Sequence, residues 1–451
     1  MATKSTYVKS LLLQGVRSST DIQRALGISQ PVTSRLFAEL GNEVIRIGSG
    51  RATRYGLRRE LAGIGSEWPV IGVDDRGEPH SMGTLHALQR DQYWFAARVP
   101  NRSKLIDGLP AFLQDLRPQG FVGRSVPLRY PELGLPERIN TWNDSDALRY
   151  LVRRGEDGIG NILIGEESLS RYMQQVRAPV SVIARQDQAV EFEKLAERAI
   201  AGEQAGSSAG GEHPKFTCVI DEGGTPRHVL VKFSPAGADP VSRRWSDLLI
   251  AEHLAMSVLT SSGVSSAMTS VLENGRRVFL VSGRFDRMGL FGRKGVISLA
   301  AVDDELIGSR KDWIHAGKAL LALKKIVRSD YDRIRRLAAF GQLIANTDMH
   351  SGNLSFLVAQ DGSLGLAPIY DMLPMMYAPT AANALPDRTM GTPAPGAEMF
   401  DVWSEMAQLA FECWKSIAAH GLVSTDFAAL ARRNAEIVRI ASRTVPYYVD
   451  G

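Results

Sequence analysis

Hydrophobic positions in the first sixty residues fall at helical spacing. Residues 7–13 are an apolar-rich run that predicts a short helix. Ser18, Ser19, Thr20 and Asp21 offer a helix start, with Asp21 three residues after Ser18, as in a capping pair. Ile22 and Leu26 mark a helix that stops at Gly27. Ser29 can cap a third helix, with Pro31 tolerated in its first turn. Val32, Leu36 and Leu40 recur every fourth residue and predict one buried stripe. The other face carries Gln30, Thr33, Ser34 and Arg35. A basic ribbon follows, with residues 44–47 and 53–57 joined through Gly48, Ser49 and Gly50 and flanked by Arg51 and Arg54.

Further along, residues 70–73 and 93–99 predict strands, and Gly72, Gly77 and Pro79 punctuate them. Residues 109–118 form a short apolar element ended by Pro118. Helices are predicted at 146–154 and 191–201, with a strand at 161–164 between them. Residues 202–211, rich in Gly, Ser and Ala, predict a loop. Strands at 217–220, 228–233 and 277–283 enclose a helix at 245–260. Beyond residue 286 the pattern reads as helix throughout, at 313–327, 331–345, 400–419 and 426–440. A strand-rich part followed by a helix-rich part predicts an α+β chain with two lobes behind the helical head.

Charge sharpens the reading of the head. Residues 1–60 hold ten Lys/Arg against four Asp/Glu, while the whole chain is only +4, so the remainder is slightly acidic. A basic head on a near-neutral body predicts a polyanionic partner for the head alone. Two helices joined by a tight turn, then a basic hairpin, resemble a winged helix-turn-helix DNA-binding domain. Gln30, Thr33, Ser34, Arg35, Arg51 and Arg54 are then the residues expected to meet base edges or phosphates. A protein-docking module with a solvated basic face is the alternative. With 451 residues there is room for two or three domains. Cys218 and Cys413 lack paired spacing, which supports neither a disulfide framework nor a zinc site. No run reaches membrane-spanning length, so a soluble cytoplasmic protein with no membrane partner is expected.

The candidate chemistry lies in residues 346–356 and 368–371. Asp348 is followed five positions later by Asn353, and by Asp371 after an apolar strand. Phosphoryl transfer needs a carboxylate near the attacking hydroxyl and oxygen ligands that hold Mg²⁺ against nucleotide phosphates. Asp348 would serve the hydroxyl, and Asn353 and Asp371 the metal, in the order protein kinases use. The plainer reading is that all three cap turns. Lys232 lies in an apolar strand, where kinases keep a phosphate-binding lysine, and Glu252 on the next helix is its candidate partner. Ser207, Ser208, Gly210 and Gly211 form a small-residue stretch whose amides and hydroxyls could cradle phosphate. It could equally be a linker.

These pieces, in order, resemble the HipA-like serine/threonine kinases of bacterial toxin–antitoxin systems. The matching stretches begin with LPAFLQDLRP from Leu109, RGEDGIGN from Arg154 and SSAGGEHPK from Ser207. They continue with VLVKF from Val229, RFDR from Arg284, NTDMHSGNLSF from Asn346 and IYDML from Ile369. The head resembles the sub-branch called YjjJ or HipH, which carries its own DNA-binding domain. The resemblance implies domains at 1–62, 66–285 and 286–451, the last an all-α lobe. It implies ATP and Mg²⁺ as cofactors, Asp348 as the catalytic residue, and Lys232 and Phe285 in the nucleotide site. It also implies autophosphorylation at Ser207 or Ser208, between which alignment does not choose. An aminoacyl-tRNA synthetase is the implied candidate substrate, and the state as a homodimer and the need for a separate antitoxin stay open. Gly283 stands where relatives have a glutamate, which puts an adenine contact in doubt. Two alternatives remain: a transcription regulator whose kinase fold only senses a ligand, and a metal-dependent DNA-cleaving enzyme.

Overall fold

Ser18 and Asp21 form the reciprocal capping box that their spacing predicts, and between them they start the helix Ser19–Leu26. The structure is a computed structural model that describes residues 3–202 and 213–443, apart from the side chains of Arg51 and Pro100. The chain divides into two compact units. One comprises Met1–Asp74, Glu78–Arg117 and Pro131–Pro179, and the other Asp75–Gly77, Pro118–Tyr130 and Val180–Gly451.

In the first unit, helices Lys4–Leu13, Ser19–Leu26 and Gln30–Leu40 pack on a three-stranded antiparallel sheet. Its strand order is Arg17–Ser18, Arg54–Leu57, Val44–Ile47. Val8, Leu12, Ile22, Leu36, Leu40 and Leu57 are its buried core. One expectation fails here: Thr33 is fully buried, so it does not lie on the exposed polar face. A four-residue step drifts by about 40° on a helix, and the inward line runs through Thr33, Leu36 and Leu40, with Val32 only partly buried. The Thr33 hydroxyl tolerates burial because it donates to the Ser29 carbonyl at 3.0 Å.

The same unit continues into a five-stranded antiparallel sheet ordered Lys104–Asp107, Gln92–Ala97, Pro79–Ala87, Glu67–Val73, Ile162–Ile164. The strand Pro79–Ala87 goes beyond the sequence expectation, because it opens on Pro79, His80 and Ser81 and shows no apolar alternation there. At its centre Gly83 has φ +150°, and a Cβ there would lie 2.3 Å from the Ala96 carbonyl oxygen, so only glycine fits. The head is tied to this sheet. Val16 N donates to Gln92 Oε1 at 3.1 Å, and Arg59 N to the Ala87 carbonyl at 3.0 Å.

In the second unit a sheet ordered Thr269–Glu273, Val278–Gly283, Thr225–Phe233, Lys215–Glu222, Val182–Ile183 is antiparallel except for its last pair. Phe192, Phe216, Phe233 and Phe279 pack under it with neighbouring ring centroids 5.7–6.2 Å apart. The long helix Pro240–Ser261 follows, capped by Asp239. Helices Trp313–Ala322, Arg328–Leu343, Phe400–Ala419 and Thr425–Ala441 surround a core that includes Phe340, Tyr377, Trp403, Trp414 and Phe427. The stretch after residue 286 is not all-α. It holds a three-stranded sheet of Gly295–Ser298, Ser355–Val358 and Leu364–Leu366, whose strands are too short to stand out against the surrounding helices. Among the described residues no helix is long and apolar enough to cross a membrane.

The caps give a direct test of this local reading. The Ser18 side chain accepts the Asp21 amide, whereas Ser29 makes no side-chain cap bond. Ser18→Ala should therefore weaken helix Ser19–Leu26 by about 1 kcal/mol, which would speed exchange of its amides roughly five-fold. Ser29→Ala should leave exchange in helix Gln30–Leu40 within twofold. Hydrogen exchange read by mass spectrometry on the full chain checks both.

Candidate active site

Strand Thr225–Phe233 carries Lys232 at the hydrogen-bonded centre of the sheet, paired with Lys215 on one side and Leu280 on the other. Helix Pro240–Ser261 presents Glu252 to it. Lys232 Nζ lies 2.8 Å from both Glu252 oxygens, and Lys232 and Glu252 are 4% and 2% exposed. Lys232 Nζ also bonds Asp371 Oδ1. The lysine that sequence alone could place on a solvated edge is thus fully enclosed.

The charges act on one another strongly. Burial alone would pull the Lys232 ammonium down, but Asp371 and Glu252 override it and hold the lysine above its ordinary range. Burial would raise Asp371, yet Lys232, with Lys215 behind it, pulls that carboxyl well below the usual range. Burial dominates for Glu252 and pushes it up despite Lys232. One ammonium therefore serves two carboxylates, of which Asp371 is the firmly ionised one.

Asp371 is fixed by backbone as well as charge. It has φ +56°, in the left-handed region that Asp tolerates better than most residues. Asn346 Nδ2 donates to its carbonyl at 3.3 Å, and Asn346 Oδ1 accepts the Asp348 amide at 3.0 Å. Asn346 thus ties the two halves of the motif together. Asn353 Nδ2 donates to the Asp348 carbonyl at 2.8 Å, and the Asn353 amide to the His350 carbonyl at 3.0 Å. Trp313 Nε1 reaches the same carbonyl at 3.0 Å. Gly341 leaves room for the loop from behind, since a Cβ there would lie 2.2 Å from Met349 Sδ.

The Asp348 carboxylate faces outward, about half exposed, with His350 Nε2 3.9 Å away. His350 itself is exposed and accepts the Gly352 amide through Nδ1 at 3.0 Å. Phe285 is half-buried and stacks on Tyr370 with ring centroids 5.8 Å apart. Tyr370 Oη in turn donates to the Gly352 carbonyl at 2.9 Å. At Gly283 an added Cβ would meet only ordinary contacts, at 3.5 Å or more, so space does not demand glycine there.

A hard divalent cation requires oxygen donors. Asn353 spends its amide nitrogen on Asp348 and keeps Oδ1, and Asp371 spends Oδ1 on Lys232 and keeps Oδ2. Those two oxygens suit such an ion. The structure therefore brings together Lys232, Glu252, Asn353, Asp371 and the Asp348 loop. Ser207, Ser208, Gly210 and Gly211 lie outside the described residues. Sequence reading missed Asn346 and Trp313. The signal for Asn346 was its place two residues before Asp348, the spacing at which an Asn side chain caps its own turn.

In the first unit Gln30, Ser34, Arg35 and Arg54 are exposed, and Arg51 lies in the turn Gly50–Ala52. Gln30 is engaged by Ser19 and Gln23.

Comparison with known proteins agrees with this picture. Residues 64–173 match the family described as YjjJ-like toxin, middle domain, and residues 207–439 match the HipA-like C-terminal domain. The chain is 37% identical over 431 residues to Toxin YjjJ of Escherichia coli strain K12, which spans 95% of this chain and 96% of the relative. Among solved structures it resembles a chain of the Shewanella oneidensis MR-1 toxin–antitoxin complex of HipA, HipB and operator DNA. That likeness has a TM-score of 0.50 at 13% identity, covering 83% of this chain and 96% of the other, and it speaks to fold alone. By the extent and level of these matches, the chain belongs to the YjjJ-like branch of the HipA-like toxin family, a family of protein kinases.

Proposed function

We propose that this chain transfers phosphate from ATP to a serine or threonine hydroxyl of a protein, through residues 66–285 and 286–451, and that residues 1–62 form a winged helix-turn-helix that binds DNA. The observation that carries the kinase reading is the buried Lys232, gripped by Glu252 at 2.8 Å and joined to Asp371. When bound, Mg-ATP would supply the phosphoryl group and the charge neutralisation it needs. Asn353 and Asp371 would hold the metal through the oxygens they keep free. Lys232, oriented by Glu252, would hold its ammonium toward the nucleotide phosphates. The outward Asp348 carboxylate would orient the acceptor hydroxyl and take its proton. Phe285 is read as lining the nucleotide site. Ser207 or Ser208 is read as the autophosphorylation site.

The DNA-binding reading is supported by exposed Gln30, Ser34, Arg35 and Arg54 on a basic head. Toxin action is supported by the relative's description as a toxin, and the substrate is read as a cytoplasmic protein. An aminoacyl-tRNA synthetase is the candidate we put first. A separate antitoxin and a homodimer belong to the same proposal.

Asp371→Asn should leave the fold intact while abolishing transfer from labelled ATP and weakening Mg-ATP binding. Asp348→Asn should abolish transfer, by a hundred-fold or more, but leave Mg-ATP binding near wild type. Transfer that persists in both variants would refute these roles. The Lys232–Asp371 pair gives a second check without nucleotide. Because the folded-state pKa of Asp371 is depressed, its stabilisation is present above the ordinary carboxylate range and lost as pH falls toward the depressed value. The melting temperatures of wild type and Asp371→Asn should therefore converge on acidification from about pH 5 to about pH 2.

For the head, DNA affinity should fall steeply as salt rises, and Arg35→Ala with Arg54→Ala should weaken it and flatten the salt slope by about two. Unchanged binding after deletion of residues 1–62 would refute this part.

A further inference from the structure

His213 lies just ahead of strand Lys215–Glu222. Lys215 is paired directly with Lys232, so their side chains share one face of the sheet. Phe233 N donates to the Pro214 carbonyl at 3.0 Å, which carries the pairing back past Lys215. Two residues before Lys215, His213 falls on that same face. Its ring is 7% exposed and packs edge-on against Trp245, with centroids 4.3 Å apart and planes at 74°. Trp245 and Glu252 are seven residues, or two turns, apart on helix Pro240–Ser261. The His213–Trp245 and Lys232–Glu252 contacts are therefore successive rungs between sheet and helix.

Among the described residues neither ring nitrogen of His213 has a hydrogen-bond partner. A buried polar group left this way is costly, and contact with Trp245 would be served as well by leucine. Packing thus gives no reason for an imidazole here. Burial, then Lys232 and Lys215, keep the ring well below its ordinary pKa, with Asp371 pulling the other way. A neutral imidazole offers one N–H donor and one bare nitrogen acceptor.

We propose that His213 is a further phosphate-binding residue, whose ring N–H donates to a phosphate oxygen of the nucleotide held at Lys232. The inference rests on the nucleotide-site reading above. An anionic oxygen satisfies the buried donor, and a hydrogen bond to a charged acceptor is worth more than one between neutral groups. A neutral donor also adds this contact without a third positive charge beside Lys232 and Lys215.

The test is calorimetric titration of the full chain with Mg-ATP and with adenosine, using wild type, His213→Leu and His213→Gln. His213→Leu should bind Mg-ATP about ten-fold more weakly or worse, bind adenosine as wild type does, and melt higher than wild type without nucleotide. His213→Gln, which restores an N–H donor, should recover most of the Mg-ATP affinity. A folded His213→Leu protein with unchanged Mg-ATP affinity overturns the proposal. Should His213→Leu not fold, wild type decides. Its ¹⁵N-labelled His213 ring signals, assigned by their loss in His213→Gln, should shift with Mg-ATP and not with adenosine, and no shift overturns the proposal. Wild type that binds adenosine but not Mg-ATP refutes the nucleotide-site reading itself, and this inference with it.

Discussion

A single buried ammonium holds the candidate site together. Lys232 is shared between Glu252, on the long helix of the second unit, and Asp371, at the end of the motif that begins at Asn346. Breaking such a pair from one side typically costs about 3–5 kcal/mol, because the partner is left charged and buried. Here the loss would strand two carboxylates at once. Sheet, helix and motif are therefore held at one point by charge as well as by packing. Lys215, paired with Lys232 across the sheet, adds to the pull on both carboxylates, and burial still pushes Glu252 up.

Around this point the motif is stiffened mainly by neutral bonds. Asn346 joins the Asp371 carbonyl to the Asp348 amide, Asn353 closes the loop on the Asp348 carbonyl, and Trp313 and Tyr370 hold the His350 and Gly352 carbonyls. The Asp348 carboxylate alone is left facing outward. Rigid support beneath one exposed carboxylate is what positioning a reacting hydroxyl requires. It supports the roles proposed for Asp348 and Asp371 beyond turn capping, since Asn346 bonds the Asp348 amide and the Asp371 carbonyl.

Much of this arrangement is legible in the order of residues alone. The capping box at Ser18 and Asp21, the lysine strand, the long helix with Glu252 and the last two helices all follow from short-range rules of spacing and capping. What the sequence conceals depends on long-range pairing. Thr33 reads as polar and outward, but the helix turns it inward and its own backbone satisfies it. The strands Gly295–Ser298 and Leu364–Leu366 acquire their identity only by pairing with Ser355–Val358, across more than fifty residues in the first case. The burial of Lys232 and of His213 likewise arises from tertiary packing, which no local pattern encodes.

The most direct test of the central claim, that the Lys232 cluster is a phosphate-transfer site, is to incubate the purified full chain with labelled ATP and Mg²⁺, beside Lys232→Met, and map labelled residues by mass spectrometry. The account predicts that wild type incorporates label on serine or threonine and that Lys232→Met, still folded, incorporates none. Equal labelling of the two proteins, or none in wild type when an acceptor protein is supplied, would contradict it.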